Sequence, residues 1–181
     1  MGLQITCKCD ECDYQFERVL GIGFFGGNFW GISPYSNKPI YHDLIKDNLV
    51  INHIEYLLAH EKNLTLKEDA LTLKKIGYFG SHGFSTYICS KCYHLYNHLY
   101  FHLLFDGGEY IPQYFCHTCE YPLQFVSDIK ASIDEFRNSG YRPIHMKSTE
   151  IVLDKDKKIP WHCPQCKCEH LITNTLGVCW D

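Results

Sequence analysis

Four Cys-x-x-Cys pairs run through this chain: Cys9/Cys12, Cys89/Cys92, Cys116/Cys119 and Cys163/Cys166. They use eight of the 11 cysteines in 181 residues. Two thiolates at that spacing fit one side of a tetrahedral metal ion, and two such pairs complete it. The pattern predicts two closed four-thiol sites, with zinc in each. Iron also takes four thiolates and is the second choice. Any fold this chain adopts must bring cysteines from distant parts of the sequence to two common points.

A secreted disulfide framework is the competing explanation of so many cysteines. The opening Met-Gly-Leu-Gln-Ile-Thr-Cys has neither a charged n-region nor an apolar h-region, so it does not read as a secretory signal. Gly2 and Thr6 match the short myristoylation pattern. The segment reads better as a strand feeding the first pair. No run of about 18 apolar residues is present to cross a membrane. The expectation is a reduced, cytoplasmic, metal-binding protein.

The composition supports a packed core, with 45% hydrophobic and 15% aromatic residues. The net charge is −4 and the pI about 6.2. Proteins that grip phosphates usually carry a basic face. Here the densest charged run, Asp154-Lys-Asp-Lys-Lys158, mixes both signs and reads as a solvated turn.

Along the chain, Tyr14 to Val19 reads as a strand after the first pair. Gly21-Ile-Gly23-Phe-Phe-Gly26-Gly27 matches Gly-x-Gly-x-x-Gly literally. A dinucleotide site needs a helix to open at once, and Asn28-Phe-Trp-Gly-Ile-Ser-Pro34 opens one poorly. It reads instead as a glycine-rich aromatic loop. Ile40, Leu44, Ile45 and Leu49 have helical spacing, as do Ile51, Ile54, Leu57 and Leu58. Thr65-Leu-Lys-Glu68 reads as a capping box for a helix that stops at Gly77. Phe84 to Ile88 reads as a strand. Asp128 to Asn138 reads as a helix with Ile129, Ile133 and Phe136 on one face. Thr149–Leu153, Ile159–Trp161 and a short segment through Leu171 and Ile172 read as strands.

Between Cys92 and Cys116 lie 23 residues, with the turn signal Asp106-Gly-Gly108 just past their middle. Folded as a hairpin, this segment brings Cys89, Cys92, Cys116 and Cys119 to one metal. Cys9/Cys12 would then join Cys163/Cys166. The rival is sequential pairing, first with second and third with fourth. Residues 84–125 resemble a zinc ribbon, a small β-hairpin module with a Cys-x-x-Cys knuckle at each end. The whole chain resembles uncharacterised bacterial proteins with several such knuckles. The resemblance implies a fold and no activity. Such knuckles usually carry Gly after the second cysteine, where the chain turns with positive φ. Here Asp13, Tyr93, Glu120 and Lys167 stand there.

Three cysteines remain. Cys7 and Cys168 flank knuckles with a one-residue spacer, and six thiols would gather if the chain ends meet. A two-metal thiolate cluster is one reading; buried small side chains are the plainer one. Cys179 reads as a packed residue.

Tyr93 to Phe105 places His94, His98 and His102 four apart, with Tyr96 and Tyr100 between. On a strand these five share a face, but four residues span about 13 Å, too far for one metal. Leu95, Leu99, Phe101 and Leu103 form the opposite, buried face. The ladder 94–102 could stack unpaired bases. The plainer reading is a half-buried face whose polar tips are bonded.

These observations define an α+β fold: a small zinc-stabilised domain with a zinc-ribbon β-hairpin and two to four helices. It would be one compact unit, 1–181, or two lobes, 1–83 with 146–181 and 84–145. The leading function is a structural-zinc protein-interaction module presenting Phe24, Phe25, Phe29, Trp30 and Tyr35 to a protein partner. Single-stranded nucleic-acid binding through the ladder is the alternative. An enzyme of unknown reaction is third, because closed four-thiolate sites leave no open position and no catalytic signature occurs.

Overall fold

The computed structural model describes residues 2–21, 28–67, 82–125, 157–159, 161–169 and 171–180. These form ten strands and two helices: β1 (Gly2–Lys8), β2 (Gln15–Gly21), α1 (Tyr41–Leu44), α2 (Asn48–His60), β3 (Thr65–Leu66), β4 (His82–Cys89), β5 (Leu95–Phe101), β6 (Leu103–Phe105), β7 (Gly108–Tyr110), β8 (Leu123–Phe125), β9 (Lys157–Ile159) and β10 (Leu171–Trp180).

A seven-stranded antiparallel sheet has the order β5-β4-β2-β1-β10-β9, with β8 also on β4. A second sheet has the order β3-β6-β7. The chain's two ends meet in the first sheet, where β1 and β10 pair from Gly2↔Trp180 to Lys8↔Ile172. The joint between β2 and β4 is narrow, a single backbone pairing at Gly21↔Phe84. Side chains widen it. The Val19 N–H donates to Asn97 Oδ1 at 3.0 Å, and Asn97 Nδ2 donates to the Glu17 carbonyl at 2.6 Å. One amide side chain on β5 thus satisfies a donor and an acceptor of β2. Arg18, only 2% exposed, donates from Nε to Thr86 Oγ1 at 3.1 Å and stacks over Trp161 at 4.6 Å.

This architecture overturns the α+β expectation. The described residues are mostly antiparallel β, and the two helices fall inside the expected helical stretch. Asp47 caps α2 by accepting from the Leu49 N–H at 2.9 Å. Its buried face is Val50, Ile54 and Leu57, whereas Leu49 and Leu58 face solvent. Thr65 opens no helix. Thr65 and Leu66 pair with Leu104 and Leu103, so strand pairing with β6 overrides the local capping pattern. The rest of that expected helix, the helix at 128–138 and the strand at 149–153 lie outside the described residues.

The zinc-ribbon hairpin is also redrawn. Asp106 and Gly107 do turn the chain, but only between the short β6 and β7, with Phe105 opposite Gly108. The long strand β5 pairs instead with β4, from Ile88↔Leu95 to His82↔Phe101. The hairpin therefore runs through the second knuckle rather than between the second and third.

The main core gathers Tyr41, Ile45, Val50, Ile54 and Leu57 with Leu99, Phe101 and Leu103. Phe29 sits among them, stacked on Tyr41 with ring centroids 5.4 Å apart. A smaller cluster of Cys7, Cys9, Leu95, Trp161, Cys163 and Leu171 lies at the first and fourth knuckles.

Candidate metal centres

Each knuckle is a hairpin tip. The first joins β1 to β2, with Lys8 opposite Gln15. The second joins β4 to β5. The third joins Tyr114 and Phe115 to β8 through the Phe115↔Pro122 bridge. The fourth joins β9 to β10, with Ile159 opposite Leu171. In all four, the first cysteine's N–H donates to the carbonyl five residues on: Cys9 to Tyr14, Cys89 to His94, Cys116 to Tyr121 and Cys163 to Cys168, at 2.8–3.0 Å. In three, the residue after the second cysteine donates back to the first cysteine's carbonyl: Tyr93, Glu120 and Lys167, at 2.8–3.0 Å. Those three residues have φ of 65°, 56° and 65°, the left-handed turn that glycine usually fills. The first knuckle departs from this. Asp13 is not among the positive-φ residues, and the turn bond of the other three is not recorded for it.

Strand pairing brings the tips together two by two. Because β1 pairs with β10, the first and fourth knuckles meet, and Cys9, Cys12, Cys163 and Cys166 place their sulfurs within 4.8 Å of one another. Because β8 pairs with β4, Cys89↔Leu123, the second and third meet, and Cys89, Cys92, Cys116 and Cys119 do the same. Sequential pairing of the knuckles is not what the fold makes.

The spacing fits a tetrahedral ion. Cys9–Cys166 and Cys12–Cys163 are 3.5 and 3.6 Å apart at sulfur. Cys89–Cys119, Cys92–Cys116 and Cys92–Cys119 are 3.5, 3.4 and 3.8 Å apart. Sulfurs about 2.3 Å from a central zinc lie about 3.8 Å from each other. Both groups can therefore hold a metal ion.

The thiol electrostatics suit the same purpose. Burial opposes ionisation of Cys9, but contacts with Cys168, the Glu11 N–H and Cys166 outweigh it and hold the thiol at about 6. Burial likewise opposes ionisation of Cys116, and the Tyr96 hydroxyl with the Thr118 and Cys119 N–H groups pulls it to about 5. Their neighbours are pushed the other way. Burial and shared sulfur contacts raise Cys92 to about 12, and Cys12 reaches about 12 despite the Tyr14 N–H. The first group thus has one thiol held low, Cys9, and the second has two, Cys116 and Cys89. Cys89 is lowered against the opposing effect of burial, through the Cys92 and Lys91 backbone and the neighbouring sulfurs. A divalent cation replaces the thiol protons.

Beyond the eight expected ligands, the structure adds three residues. His94 Nδ1 lies 3.2 Å from Cys92 Sγ, and Tyr96 Oη lies 3.2 Å from Cys116 Sγ. Strand alternation out of the second knuckle aims both at that group, a signal present in the sequence. Cys168 Sγ lies 3.2 Å from Cys9 Sγ, beside the first group. Its place beside the knuckle, one residue from Cys166, is the sequence signal for it, and the structure brings it against Cys9.

The rest of the ladder is engaged inside the protein. His98 stacks on Tyr114 at 4.1 Å, its Nε2 buried without a hydrogen-bond partner, Tyr100 packs at a tilt on Phe125 at 4.8 Å, and buried His102 bonds Glu109 at 2.9 Å. Leu95, Leu99, Phe101 and Leu103 are buried. Of the loop aromatics, Phe29 is core, Trp30 packs against it and Tyr35 is 76% exposed. Phe24, Phe25 and the rest of 22–27 lie outside the described residues, and nothing is described of the side chain of Cys179. Among the described residues no helix is long and apolar enough to cross a membrane.

The chain matches no protein-family model, no curated protein and no solved structure. The geometry of the thiols therefore carries the functional reading.

Proposed function

We propose that this protein is a zinc-stabilised scaffold, with two structural zinc ions held in zinc-ribbon-like knuckles, that serves as a protein-interaction module. The observation that carries it is the meeting of four hairpin tips in two groups of four thiols at tetrahedral spacing. Cys9, Cys12, Cys163 and Cys166 would hold one ion, and Cys89, Cys92, Cys116 and Cys119 the other. Four thiolates fill the coordination sphere of zinc, so such a site holds structure rather than activating water. Zinc is preferred to iron because it is the usual occupant of knuckles at this spacing.

The interaction role draws on exposed apolar side chains. Ile32 and Tyr35 are 65% and 76% exposed on a loop closed by the Ile32↔Pro39 bridge. A rigid loop offering an aromatic and an aliphatic side chain suits a partner's surface. The nucleic-acid reading has less support, since the ladder's rings pack on other rings or bond within the protein.

Elemental analysis of protein purified without chelator tests the metal reading. Two zinc per chain is expected, and a value near zero with the eight thiols in disulfides would refute it. Replacing Ile32 and Tyr35 by serine tests the interaction reading. The variant should keep both zinc ions and its melting temperature while losing whatever protein co-purifies with the parent.

A further inference from the structure

We infer that Cys168 is an oxidation site whose product is a Cys9–Cys168 disulfide that strips one thiolate from the metal group at the chain ends. This rests on the reading of that group as a metal site. The two groups differ in what touches their ligands. At the second, the neighbours of ligand sulfurs are a histidine nitrogen and a tyrosine hydroxyl. Hydrogen bonds of that kind draw charge from a thiolate and blunt it as a nucleophile. At the first, Cys9 also accepts from the Glu11 N–H at 3.4 Å, but it has in addition a fifth thiol against it. Cys9 and Cys168 are 3.2 Å apart at sulfur, closer than the ligand contacts of 3.4–3.8 Å within either group. No bond joins them. A disulfide needs about 2.05 Å, so a shift of roughly 1 Å closes the gap.

Access and local rigidity point the same way. Cys168 is half-buried and Cys166 exposed. The first knuckle, which carries Cys9, borders an open cleft lined by Lys8 to Gln15. It is also the knuckle without the turn geometry recorded for the other three. The contact with Cys9 therefore involves the hairpin tip that lacks the second turn bond.

The chemistry balances with a hydroperoxide as oxidant. The Cys168 sulfur attacks the peroxide, the O–O bond breaks, and the thiol proton leaves with the departing oxygen as an alcohol, or as water from hydrogen peroxide. Cys168 is then a sulfenic acid. The Cys9 sulfur attacks it, forming the S–S bond and breaking its bond to the metal. Hydroxide departs and takes a proton from solvent to become water. Two sulfurs each lose one electron, and the peroxide gains two. The ion retains Cys12, Cys163 and Cys166, and a competing chelator removes it.

The test treats the two-zinc protein with limiting hydrogen peroxide beside a chromogenic zinc chelator, followed by alkylation and peptide mapping. One zinc per chain should leave quickly, together with a peptide joining Cys9 to Cys168. Cys168→Ser should still bind two zinc ions and release the first at least tenfold more slowly. Loss of both zinc ions together, a disulfide lacking Cys168, or equal release from the variant would overturn the inference. Mapping the unaltered protein needs no variant, so a Cys168→Ser chain that fails to fold does not shelter the idea. A protein with two zinc ions that resists peroxide sinks this inference alone, whereas one purified without zinc sinks the metal reading beneath it.

Discussion

Lys167 donates its ammonium to the carbonyl of Cys92 at 3.0 Å, so a residue of the fourth knuckle is bonded to a candidate ligand in the second. The same ammonium reaches the Pro164 carbonyl at 2.8 Å and lies over the Tyr93 ring at 5.3 Å. Tyr93 in turn packs on His162 with ring centroids 4.6 Å apart. The fourth and second knuckles are thus in contact. Lys167→Met should keep both metals, because no ligand changes, and should lower stability by about 1 kcal/mol through the lost charge-assisted bonds. Its chelator titration should show the two metals leaving more independently than in the parent. Unchanged denaturant midpoint and unchanged release curves would count against this contact.

The knuckle turns predict an asymmetric response to glycine. Glu120 is exposed and sits at φ 56°, a conformation costing an L-residue about 1–2 kcal/mol. Glycine removes that cost and gives part back as unfolded-chain entropy. Glu120→Gly should therefore raise stability by about 0.5 kcal/mol. Asp13 occupies the equivalent place without positive φ, so Asp13→Gly gains nothing and should lower stability by about 0.5 kcal/mol. Paired thermal melts of the two variants check the signs.

The thiol groups were legible in the sequence because ligand spacing is local chemistry. The pairing stayed open between two alternatives, and the thiols adopt the hairpin one by a different route. The chain from Cys92 to Cys116 does not fold as one hairpin; β4 joins both neighbours, β5 on one edge and β8 near Cys89. Which strand pairs with which depends on contacts far apart in sequence, and periodicity carries no trace of them. The same limit explains Thr65, where a good local helix start is overridden by pairing with Leu104. The ladder shows the opposite case. Alternation placed Leu95, Leu99 and Phe101 inside, but the cover over His98 comes from Tyr114, which no local pattern announced.

Replacing Cys89 and Cys116 together by serine should remove one metal ion and leave the other. Both belong to one group, so the damage is confined to it, while Cys9, Cys12, Cys163 and Cys166 remain intact. Elemental analysis should fall from two zinc to one. A fall to zero would mean that the groups exchange ligands or that one cannot fold without the other.

His98 gives the protein an acid-sensitive element apart from the metals. Burial against Tyr114, aided by nearby His117, lowers its pKa to about 4, against 6.5 in an unfolded chain. Between those values the unfolded state binds more protons, so stability is full above 6.5 and falls as the pH drops toward 4. With partial exposure allowed for, the loss is on the order of 1–2 kcal/mol. His98→Phe keeps a stacked ring and removes the proton. Its stability should fall less steeply than the parent's across that window. Metal loss affects both proteins and cancels in the difference, and identical slopes would dismiss His98 as the cause.

Removing the metals should unfold the protein rather than leave a folded apo form. The ions would close four hairpin tips, and one group ties the N-terminal strand pair to the C-terminal one. Without an ion, each group packs four thiols whose proton affinities are driven apart, with Cys116 near 5 and Cys92 near 12. The core cluster at the first and fourth knuckles is small and includes Cys7, Cys9 and Cys163. Binding a structural zinc contributes about 10 kcal/mol or more, comparable to the whole stability of a domain this size. A strong chelator that removes both ions should therefore abolish near-UV circular dichroism, and added zinc should restore it. Acid should do the same as thiolates protonate, and excess zinc should move that transition to lower pH by mass action. Apo protein that keeps its near-UV signal and melting temperature would show that the strands hold without the ions, and the thiol groups would then be sites that exchange metal rather than sites that support the fold.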